Sequence, residues 1–298
     1  MPGVSCVRPA CDPGCATRGS RRRGRPAQVG RLGLLVVAVV AGTVLVVAMS
    51  SLPGFGRARR ALWAQGRAST WVRRALGVRL RVIGAPRSGP SLVVANHVSF
   101  LDILVLSGSA PMRMVAKSEV RRWPLIGGLA RRCGVLFLDR STLRRLPATV
   151  DGMTEVLRSG YRVQVFPEAT TRCGGAMDVF KRAAFQSALD AAVVVSPVAV
   201  GYGDADGRST APAFVGAETL LDCLRRVLAT RGLTASVQWL PVIPAIAGTG
   251  RRAVDRRTTA RLAQAALARA LEIPVIEPAR MPTAQAEPSP RTYQRLAA

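Results

Sequence analysis

The chain has 298 residues, of which 49% are hydrophobic, and its formal net charge is +26 from 43 basic and 17 acidic residues. That length and hydrophobic content allow one large domain with a substantial core, or two small ones. A cationic chain attracts either nucleic acid or an anionic membrane surface. Aromatic residues make up only 5% of the chain, and no nucleic-acid reading module is recognisable in it. The composition therefore favours a membrane partner and argues against a nucleic-acid-binding protein.

Two segments of opposite character begin the chain. Residues 1–31 are basic, rich in Pro and Gly and aperiodic, so we expect a disordered basic leader. Residues 32–52 are uncharged and apolar, and about 20 such residues can cross the ~30 Å hydrocarbon core of a bilayer as a helix. A cleavable signal peptide is the alternative, but the apolar run is long and a basic stretch follows it. We therefore predict a retained membrane anchor.

The topology of this anchor stays open at the level of sequence. Arginines flank the apolar run on both sides, so the positive-inside rule assigns no single orientation. The anchor either spans the bilayer or enters one leaflet and returns. In the second case Pro53 and Gly54 would end the first helix, and residues 57–77 would form a basic helix at the interface. A solvated linker helix is the alternative for that stretch. We assign residues 32–77 to the anchor.

From residue 78 onward the pattern changes to short Val-rich runs that alternate with helical stretches. Such alternation predicts an α/β domain with a mostly parallel sheet of about seven strands covered by helices on both faces. We assign this domain to residues 78–273 and a Pro- and Ala-rich tail to residues 274–298. The predicted strands are 78–84, 91–95, 112–116, 134–138, 161–166, 193–200 and 233–240. The predicted helices are 100–107, 119–132, 141–158, 178–192, 217–230 and 251–271.

His97 is the only histidine of the chain and follows the predicted strand 91–95, with Asp102 five positions downstream. This strand-to-helix turn places both side chains at the carboxyl end of a strand, where open α/β sheets bind ligands. Imidazole groups in general titrate close to neutral pH and suit general-base catalysis. Taken alone, the pair is equally consistent with a structural histidine.

Three further polar clusters follow predicted strands. One strand ends in Asp139 and Arg140, and another ends in a turn with Pro167 and Glu168. The third is interrupted by Pro197, which favours an edge strand or a bulge over a central paired strand. Each cluster has an ordinary structural explanation when it is considered alone. Their order after the histidine turn is far more specific than any one of them.

That order resembles the glycerolipid acyltransferases of the 1-acylglycerol-3-phosphate acyltransferase (PlsC-type) family. The family motif Asn-His-x-Ser-x-x-Asp matches residues 96–102 in full, and Gly-x-x-Phe-Ile-Asp-Arg matches residues 134–140 with Leu138 in place of Ile. Phe-Pro-Glu-Gly-Thr appears at residues 166–170 with Ala169 in place of Gly, and Val-x-Pro-Val appears at residues 195–198. The resemblance covers roughly residues 60–245. The motif residues expected to be structural are Asn96, Ser99, Gly134, Phe137, Asp139, Phe166, Pro167 and Pro197.

The resemblance implies roles for individual residues. His97 would act as the general base and Asp102 would orient it, whereas Ser99 lacks a Gly-x-Ser-x-Gly elbow and is interpreted as a turn or cap residue. A phosphate-bearing acceptor needs fixed cations, which Arg140 and Lys117 would supply. The remaining residues expected to bind substrate are Glu168, Thr170 and Thr171. Ala169 would cost roughly 1 kcal/mol if that position needs a positive φ.

The implied reaction moves a fatty acyl group from acyl-CoA or acyl-carrier protein to the free hydroxyl of a lysophospholipid. The default acceptor is 1-acylglycerol-3-phosphate, which would give phosphatidic acid. Lyso-ornithine lipid is the alternative, because residues 214–220 resemble a segment of that branch. A non-catalytic membrane-associated protein with the same fold is the second alternative. We expect no cofactor, anionic membrane lipids as partners and a catalytic domain on the cytoplasmic face of the cell membrane. The oligomeric state stays open.

Six cysteines complete the set of chemically active residues. None forms a C-x-x-C pair, and with one histidine the sequence shows no zinc-binding pattern, so we expect no metal. Cys6, Cys11 and Cys15 fall in the predicted leader. Cys133 and Cys173, together with Cys223, are interpreted as ordinary thiols of a reducing compartment.

Overall fold

The computed structural model describes residues 11–16, 21–139, 146–245 and 252–276. Two N-terminal helices, α1 (Arg25–Ser51) and α2 (Arg57–Ala75), form an antiparallel hairpin. They approach closely where Gly42 meets Ala68, since a Cβ added to Gly42 would lie 2.8 Å from the Cβ of Ala68. The guanidinium of Arg60 donates to the carbonyls of Leu52 at 2.6 Å and Phe55 at 2.8 Å. These bonds satisfy carbonyls at the carboxyl end of α1, where a cation is also favoured by the helix dipole.

Among the described residues, α1 is the one helix long and apolar enough to cross a membrane. Most of its apolar side chains face outward from the protein: Val36, Val37, Val40 and Val44 are each more than half exposed. By contrast, Leu62 on α2 and Leu76 directly after α2 are buried against the rest of the chain.

The prediction of a disordered leader is wrong for the described part of residues 1–31. Helix α1 begins at Arg25, not at residue 32, and has proline in its first turn, where the missing N–H costs nothing. Arg31 donates to the carbonyl of Ala75 at 3.1 Å, at the end of α2. Arg23 donates to the carbonyls of Leu228 at 3.0 Å and Gly77 at 3.2 Å. These long-range bonds order the basic residues, which composition alone could not show.

The central sheet contains strands in the order β1 (Arg79–Ile83), β9 (Thr234–Trp239), β7 (Val195–Asp204), β2 (Leu92–Ala95), β5 (Val163–Val165), β3 (Arg113–Lys117) and β4 (Leu136–Leu138). Neighbouring strands on this path are parallel except for β7 and β9. β8 (Gly207–Arg208) extends β7 as a hairpin. This arrangement confirms the predicted mostly parallel sheet of about seven strands.

Helices cover both faces of this sheet, as predicted. The remaining helices are α3 (Leu101–Ser109), α4 (Ile126–Arg132), α5 (Leu146–Arg158), α6 (Phe185–Asp190), α7 (Leu220–Ala229) and α8 (Arg252–Leu271). Side chains alternate across β2, so that Val93 and Ala95 pack into one core with α3 and α7. Leu92 and Val94 pack into a second core with α5, α6 and α8. Burial on both faces explains why β2 is an uninterrupted apolar run.

Three element predictions differ from the structure. The predicted helix 119–132 is a 3₁₀ turn (Ser118–Arg122) followed by α4, because Pro124 interrupts the helix. The predicted helix 178–192 begins only at Phe185, because β6 (Met177–Asp178) pairs with β10 (Val275–Ile276). That pairing also places residues 275–276, which were predicted to be tail, in the domain.

Pro197 lies in the central strand β7 beside a β-bulge, one of the two settings expected for it: residues 195–197 oppose residues 240–243, with one extra residue on the partner segment. It stands in register with Val94 of β2, and its carbonyl accepts from the backbone N–H of Leu240 at 3.0 Å. Within a strand, the N and the carbonyl of one residue point to the same side, so the missing N–H faces β9. Strand β9 ends at Trp239. The proline is tolerated because its imino nitrogen lies where the β7–β9 ladder is interrupted by this bulge, before pairing resumes between Val195 and Ile243.

Candidate active site

The parallel strands β2, β5, β3 and β4 are consecutive in the sheet, so their carboxyl ends meet at one sheet edge. His97 follows β2, Glu168 follows β5 and Asp139 follows β4, whereas Lys117 is the last residue of β3. Lys117 is exposed. Arg140, the second cation expected to bind phosphate, lies outside the described residues. The topology therefore brings the histidine and glutamate motifs onto adjacent strands.

His97 and Asp102 form a hydrogen-bonded pair. The Nδ1 of His97 lies 2.8 Å from the Oδ2 of Asp102, and the same oxygen accepts from the backbone N–H groups of Val98 at 2.7 Å and Ser99 at 2.9 Å. Asp102 is fully buried in the first turn of α3, while the His97 side chain is 20% exposed. Because a carboxylate only accepts, Nδ1 is the donor and Nε2 is left to accept a proton.

Two aromatic side chains complete the surroundings of this pair. The Phe166 ring stacks on the His97 imidazole with centroids 3.8 Å apart and planes 8° from parallel. The Tyr202 hydroxyl donates to the Oδ1 of Asp102 at 2.5 Å. Burial raises the pKa of Tyr202 well above its usual value, and the Asp102 carboxylate adds to this effect. The phenol therefore keeps its proton and remains a donor to Asp102.

Glu168 contacts the backbone of the turn that carries His97. Its Oε1 accepts from the backbone N–H of His97 at 2.9 Å, and its Oε2 accepts from that of Asp178 at 3.0 Å. The side chain is buried, and burial raises its pKa to about 8. The two hydrogen bonds from backbone N–H groups lower the pKa, but their effect is smaller than that of burial. Glu168 thus connects the turn after β2 to strand β6. Its contact with substrate stays a prediction.

Residues 170–172 connect the glutamate turn to the histidine turn. Thr171 donates its hydroxyl to the carbonyl of Phe214, and the N–H of Phe214 donates to the carbonyl of Val98 at 2.9 Å. The N–H of Arg172 donates to the carbonyl of His97 at 2.8 Å. Thr170 is exposed. Of the two threonines, Thr171 is therefore engaged with protein, and Thr170 is the one directed toward solvent.

The structural motif residues have identifiable contacts. Asn96 extends the pairing of β2 with β7, because its side chain donates to the carbonyl of Val200 at 2.9 Å and accepts from its N–H at 2.8 Å. Ser99 is fully buried and accepts from the N–H of Leu101 at 3.3 Å, which fits a turn residue and not an exposed nucleophile. Gly134 adopts φ 69°, and the carbonyl of Pro167 accepts from the N–H of Lys181 at 2.8 Å. Phe137 is half-buried in β4.

Ala169 adopts a left-handed conformation with φ 64°. This is the position where the family motif has glycine, and left-handed backbone is costly for a residue with a Cβ. The backbone at position 169 therefore has the positive φ that makes an alanine there costly.

Sequence reasoning missed the contacts made by residues from distant segments. Tyr202 shares a face of β7 with Val198 and Val200, and this period-two pattern could have marked it as inward-facing. No comparable pattern marks Asp178, whose carboxylate pairs with the guanidinium of Arg172. The cysteines Cys11, Cys15 and Cys173 also come together, with all three Sγ atoms within 4.8 Å of one another. Cysteine sulfurs at such distances could hold a metal ion.

Known proteins are similar to this chain in sequence and in fold. The family model described as Acyltransferase matches residues 79–201. A lyso-ornithine lipid O-acyltransferase of Pseudomonas aeruginosa is 40% identical over 199 residues, which cover 66% of this chain and 74% of that protein. A 1-acyl-sn-glycerol-3-phosphate acyltransferase of Neisseria gonorrhoeae is 37% identical over 163 residues, or 55% of this chain. The chain spans 64% of the length of that Neisseria relative.

The crystal structure of the 1-acyl-sn-glycerophosphate acyltransferase PlsC from Thermotoga maritima matches with a TM-score of 0.60 and 20% identity, covering 83% of this chain and 94% of that one. At that identity the match establishes the fold. The identity and coverage of the Pseudomonas protein establish the kinship. The chain therefore belongs to the PlsC-type family of glycerolipid acyltransferases.

Proposed function

We propose that the protein transfers a fatty acyl group from acyl-CoA or acyl-carrier protein to the free hydroxyl of a lysolipid at a membrane. The observation that carries this proposal is the buried His97–Asp102 pair, with 2.8 Å between Nδ1 and Oδ2. It lies at the sheet edge where the family motifs converge. No cofactor is needed, because the thioester of the donor is already activated.

The reaction follows from the orientation of the imidazole. The Nε2 of His97 removes the proton from the acceptor hydroxyl while the hydroxyl oxygen attacks the thioester carbonyl. The tetrahedral intermediate collapses, the carbon–sulfur bond breaks, and the imidazolium returns the proton to the leaving thiolate. Asp102 keeps Nδ1 as the donor and stabilises the transient positive charge. The ester and the free thiol are the products.

The default acceptor is 1-acylglycerol-3-phosphate, which would yield phosphatidic acid. Lys117 is an exposed cation at the sheet edge that carries His97. With Arg140, it would hold the phosphate of the acceptor. Thr170 is exposed in the glutamate turn and would hydrogen-bond the glycerol or phosphate region.

Lyso-ornithine lipid is the second candidate acceptor. The Pseudomonas relative acts on it by name and aligns over more of this chain than the Neisseria relative does. The segment that resembles the lyso-ornithine branch begins at Phe214, which contacts both Val98 and Thr171 next to the catalytic turn. The same segment is anchored by an ion pair between Glu218 and Arg226. Because this headgroup carries a carboxylate and an amine in place of phosphate, the two acceptors need different binding groups.

The outward-facing valines of α1 support insertion into a bilayer, and the arginines of the hairpin support attraction to anionic lipids. We place the catalytic domain on the cytoplasmic face of the cell membrane, where acyl-CoA and acyl-carrier protein are available.

The decisive experiment measures acylation of a lysolipid panel. Membranes containing the full chain are incubated with labelled acyl-CoA or acyl-carrier protein and with lysophosphatidate, lyso-ornithine lipid or other lysolipids. Lysophosphatidate should be acylated, and His97→Ala should lower kcat by at least ~10²-fold. Ser159→Ala, an exposed hydroxyl at the end of α5, serves as the matched control and should leave kcat unchanged.

Each contrary result has a distinct meaning. Unchanged turnover in His97→Ala would eliminate the general-base mechanism. Acylation of lyso-ornithine lipid without acylation of lysophosphatidate would replace the default acceptor. If the folded chain acylated no lysolipid, the non-catalytic alternative would hold.

A further inference from the structure

Three cysteines from distant parts of the sequence converge beside the catalytic turn. Cys11 precedes a short 3₁₀ turn (Pro13–Cys15) in the leader and Cys15 is its last residue, whereas Cys173 follows the glutamate turn, 162 positions after Cys11. Their Sγ atoms all lie within 4.8 Å of one another. Cys173 is buried, and the two leader cysteines are half-buried against the core that contains it.

Two hydrogen-bond donors face the Sγ of Cys11. The backbone N–H of Cys173 donates to the Sγ of Cys11 at 3.5 Å. The side chain of Arg172 also hydrogen-bonds Cys11 and brings a positive charge to the cluster. Such donors stabilise negative charge on sulfur, and hydrogen bonds to ligating sulfurs recur around metal–thiolate centres.

We propose that Cys11, Cys15 and Cys173 bind a zinc ion. Tetrahedral Zn–S bonds of about 2.3 Å separate sulfurs by about 3.8 Å, so the cluster needs to contract by at most about 1 Å to accept the ion. Three thiolates give the site soft ligands of the kind that select zinc, and a fourth tetrahedral position is left for a further donor. In a chain facing a reducing compartment, clustered cysteines favour metal binding over a disulfide.

The zinc ion would link the leader to the segment that follows the glutamate turn and contacts the histidine turn. Arg172 precedes the buried cysteine, and its N–H donates to the carbonyl of His97 at 2.8 Å. Its guanidinium pairs with Asp178, whose own N–H donates to Glu168. A metal held by Cys173 would therefore anchor the leader to the segment whose Arg172 hydrogen-bonds the backbone of His97. This role is structural and does not depend on which lipid the enzyme acylates.

The test is the metal content of the purified full chain in detergent, measured by inductively coupled plasma mass spectrometry after gel filtration in metal-free buffer. We expect about one zinc per chain, since a site with several thiolates holds zinc tightly. Cys11→Ser and Cys15→Ser should each lower zinc retention by at least about tenfold. Cys133→Ala removes a buried thiol from the packing among α1, α2 and α4, and should retain the metal. Cys6 is left unchanged in every variant.

Cys173→Ser tests the buried ligand, and circular dichroism shows whether that variant folds. Because it could fail to fold, Co²⁺ substitution of the wild-type chain provides an independent measurement. Thiolate-to-cobalt charge-transfer absorption that is lost in Cys11→Ser and retained in Cys133→Ala supports the site. Zinc absent from the wild type, zinc retained equally in all variants, or a disulfide joining two of the three cysteines would overturn the proposal. Iron with labile sulfide in place of zinc would overturn it as well. All of these readouts are independent of acyltransferase activity.

Discussion

Tyr202 and His97 bind opposite oxygens of the Asp102 carboxylate, at 2.5 Å and 2.8 Å respectively. Together with the two backbone N–H groups on Oδ2, they give this buried carboxylate four donors. A buried charge is tolerated only when it is hydrogen-bonded, and four directional bonds also prevent the carboxylate from rotating. The orientation of His97 therefore depends on a tyrosine contributed by β7, on the neighbouring strand.

Replacing Tyr202 with Phe tests this relationship. The change removes one hydrogen bond to a charged group, worth about 1.5–3 kcal/mol, so we expect kcat to fall by about 10- to 100-fold. KM should change little, because the hydroxyl contacts Asp102 and not the substrate. Tyr161→Phe is the matched control, since its ring lies over the Arg113 guanidinium and does not touch the pair. Steady-state kinetics would contradict the proposed role if both variants lost kcat equally, or if Tyr202→Phe lost none.

Ala169→Gly should stabilise the protein. Ala169 adopts φ 64°, which glycine tolerates without steric cost, so the free energy of unfolding should rise by about 1 kcal/mol. Ala184→Gly is the control, because Ala184 has φ −61° and glycine there should lower the unfolding free energy. Denaturant unfolding of the detergent-solubilised chain measures both. A loss of stability in Ala169→Gly would show that the left-handed residue is not strained.

Glu168→Gln should change how stability depends on pH. In the folded chain burial raises the pKa of Glu168 from 4.5 to about 8, so the folded state holds a proton that the unfolded state releases. The wild type should therefore lose stability as the pH rises from about 4.5 to about 8, and this loss should flatten above that range. Glutamine has no such proton, so the variant should show a smaller decline.

The measurement for this prediction is the unfolding free energy at several pH values across that window. Glu155→Gln, which alters an exposed carboxyl group on α5, should keep the wild-type pH dependence. Identical slopes for the wild type and Glu168→Gln would show that the buried carboxyl group does not titrate in this range.

Val40→Arg should weaken membrane association. Val40 is 58% exposed near the middle of α1. An arginine at the centre of a membrane helix costs about 2.5–3.5 kcal/mol, so the coefficient for partition of the chain into the membrane should fall by about 100-fold. Val254→Arg places the same charge on an exposed apolar position of α8 and should leave binding unchanged. Flotation with lipid vesicles distinguishes the two. Equal flotation of both variants would argue against insertion of α1.

Much of the fold could be predicted from local sequence patterns. The uninterrupted apolar run at β2 and the alternation of Val-rich strands with helices depend on residues near one another in the chain, and these predictions were confirmed. Pro197 predicted an edge strand or a bulge, and it lies in a central strand beside a bulge. Local patterns could not decide between the two, because the bulge is formed by residues 240–243 of a distant segment.

The leader also depends on contacts with residues that are distant in sequence. Its basic, Pro-rich composition indicated disorder, but Arg23 and Arg31 hydrogen-bond carbonyls at the ends of elements far away in sequence. Composition reports how much apolar surface a segment can bury, and it carries no information about distant carbonyls that lack partners.

The pairing of His97 with Asp102 could be inferred from sequence, because one tight turn before α3 brings the two side chains together. Their order with the glutamate motif was equally visible, since each follows a strand. The positions of Tyr202, Asp178 and Cys173 relative to that pair could not be inferred. Those contacts depend on the order in which β2, β5 and β7 associate and on where the leader packs. Strand order is set by the packing of the whole domain, whereas a turn of a few residues is set by its own backbone geometry.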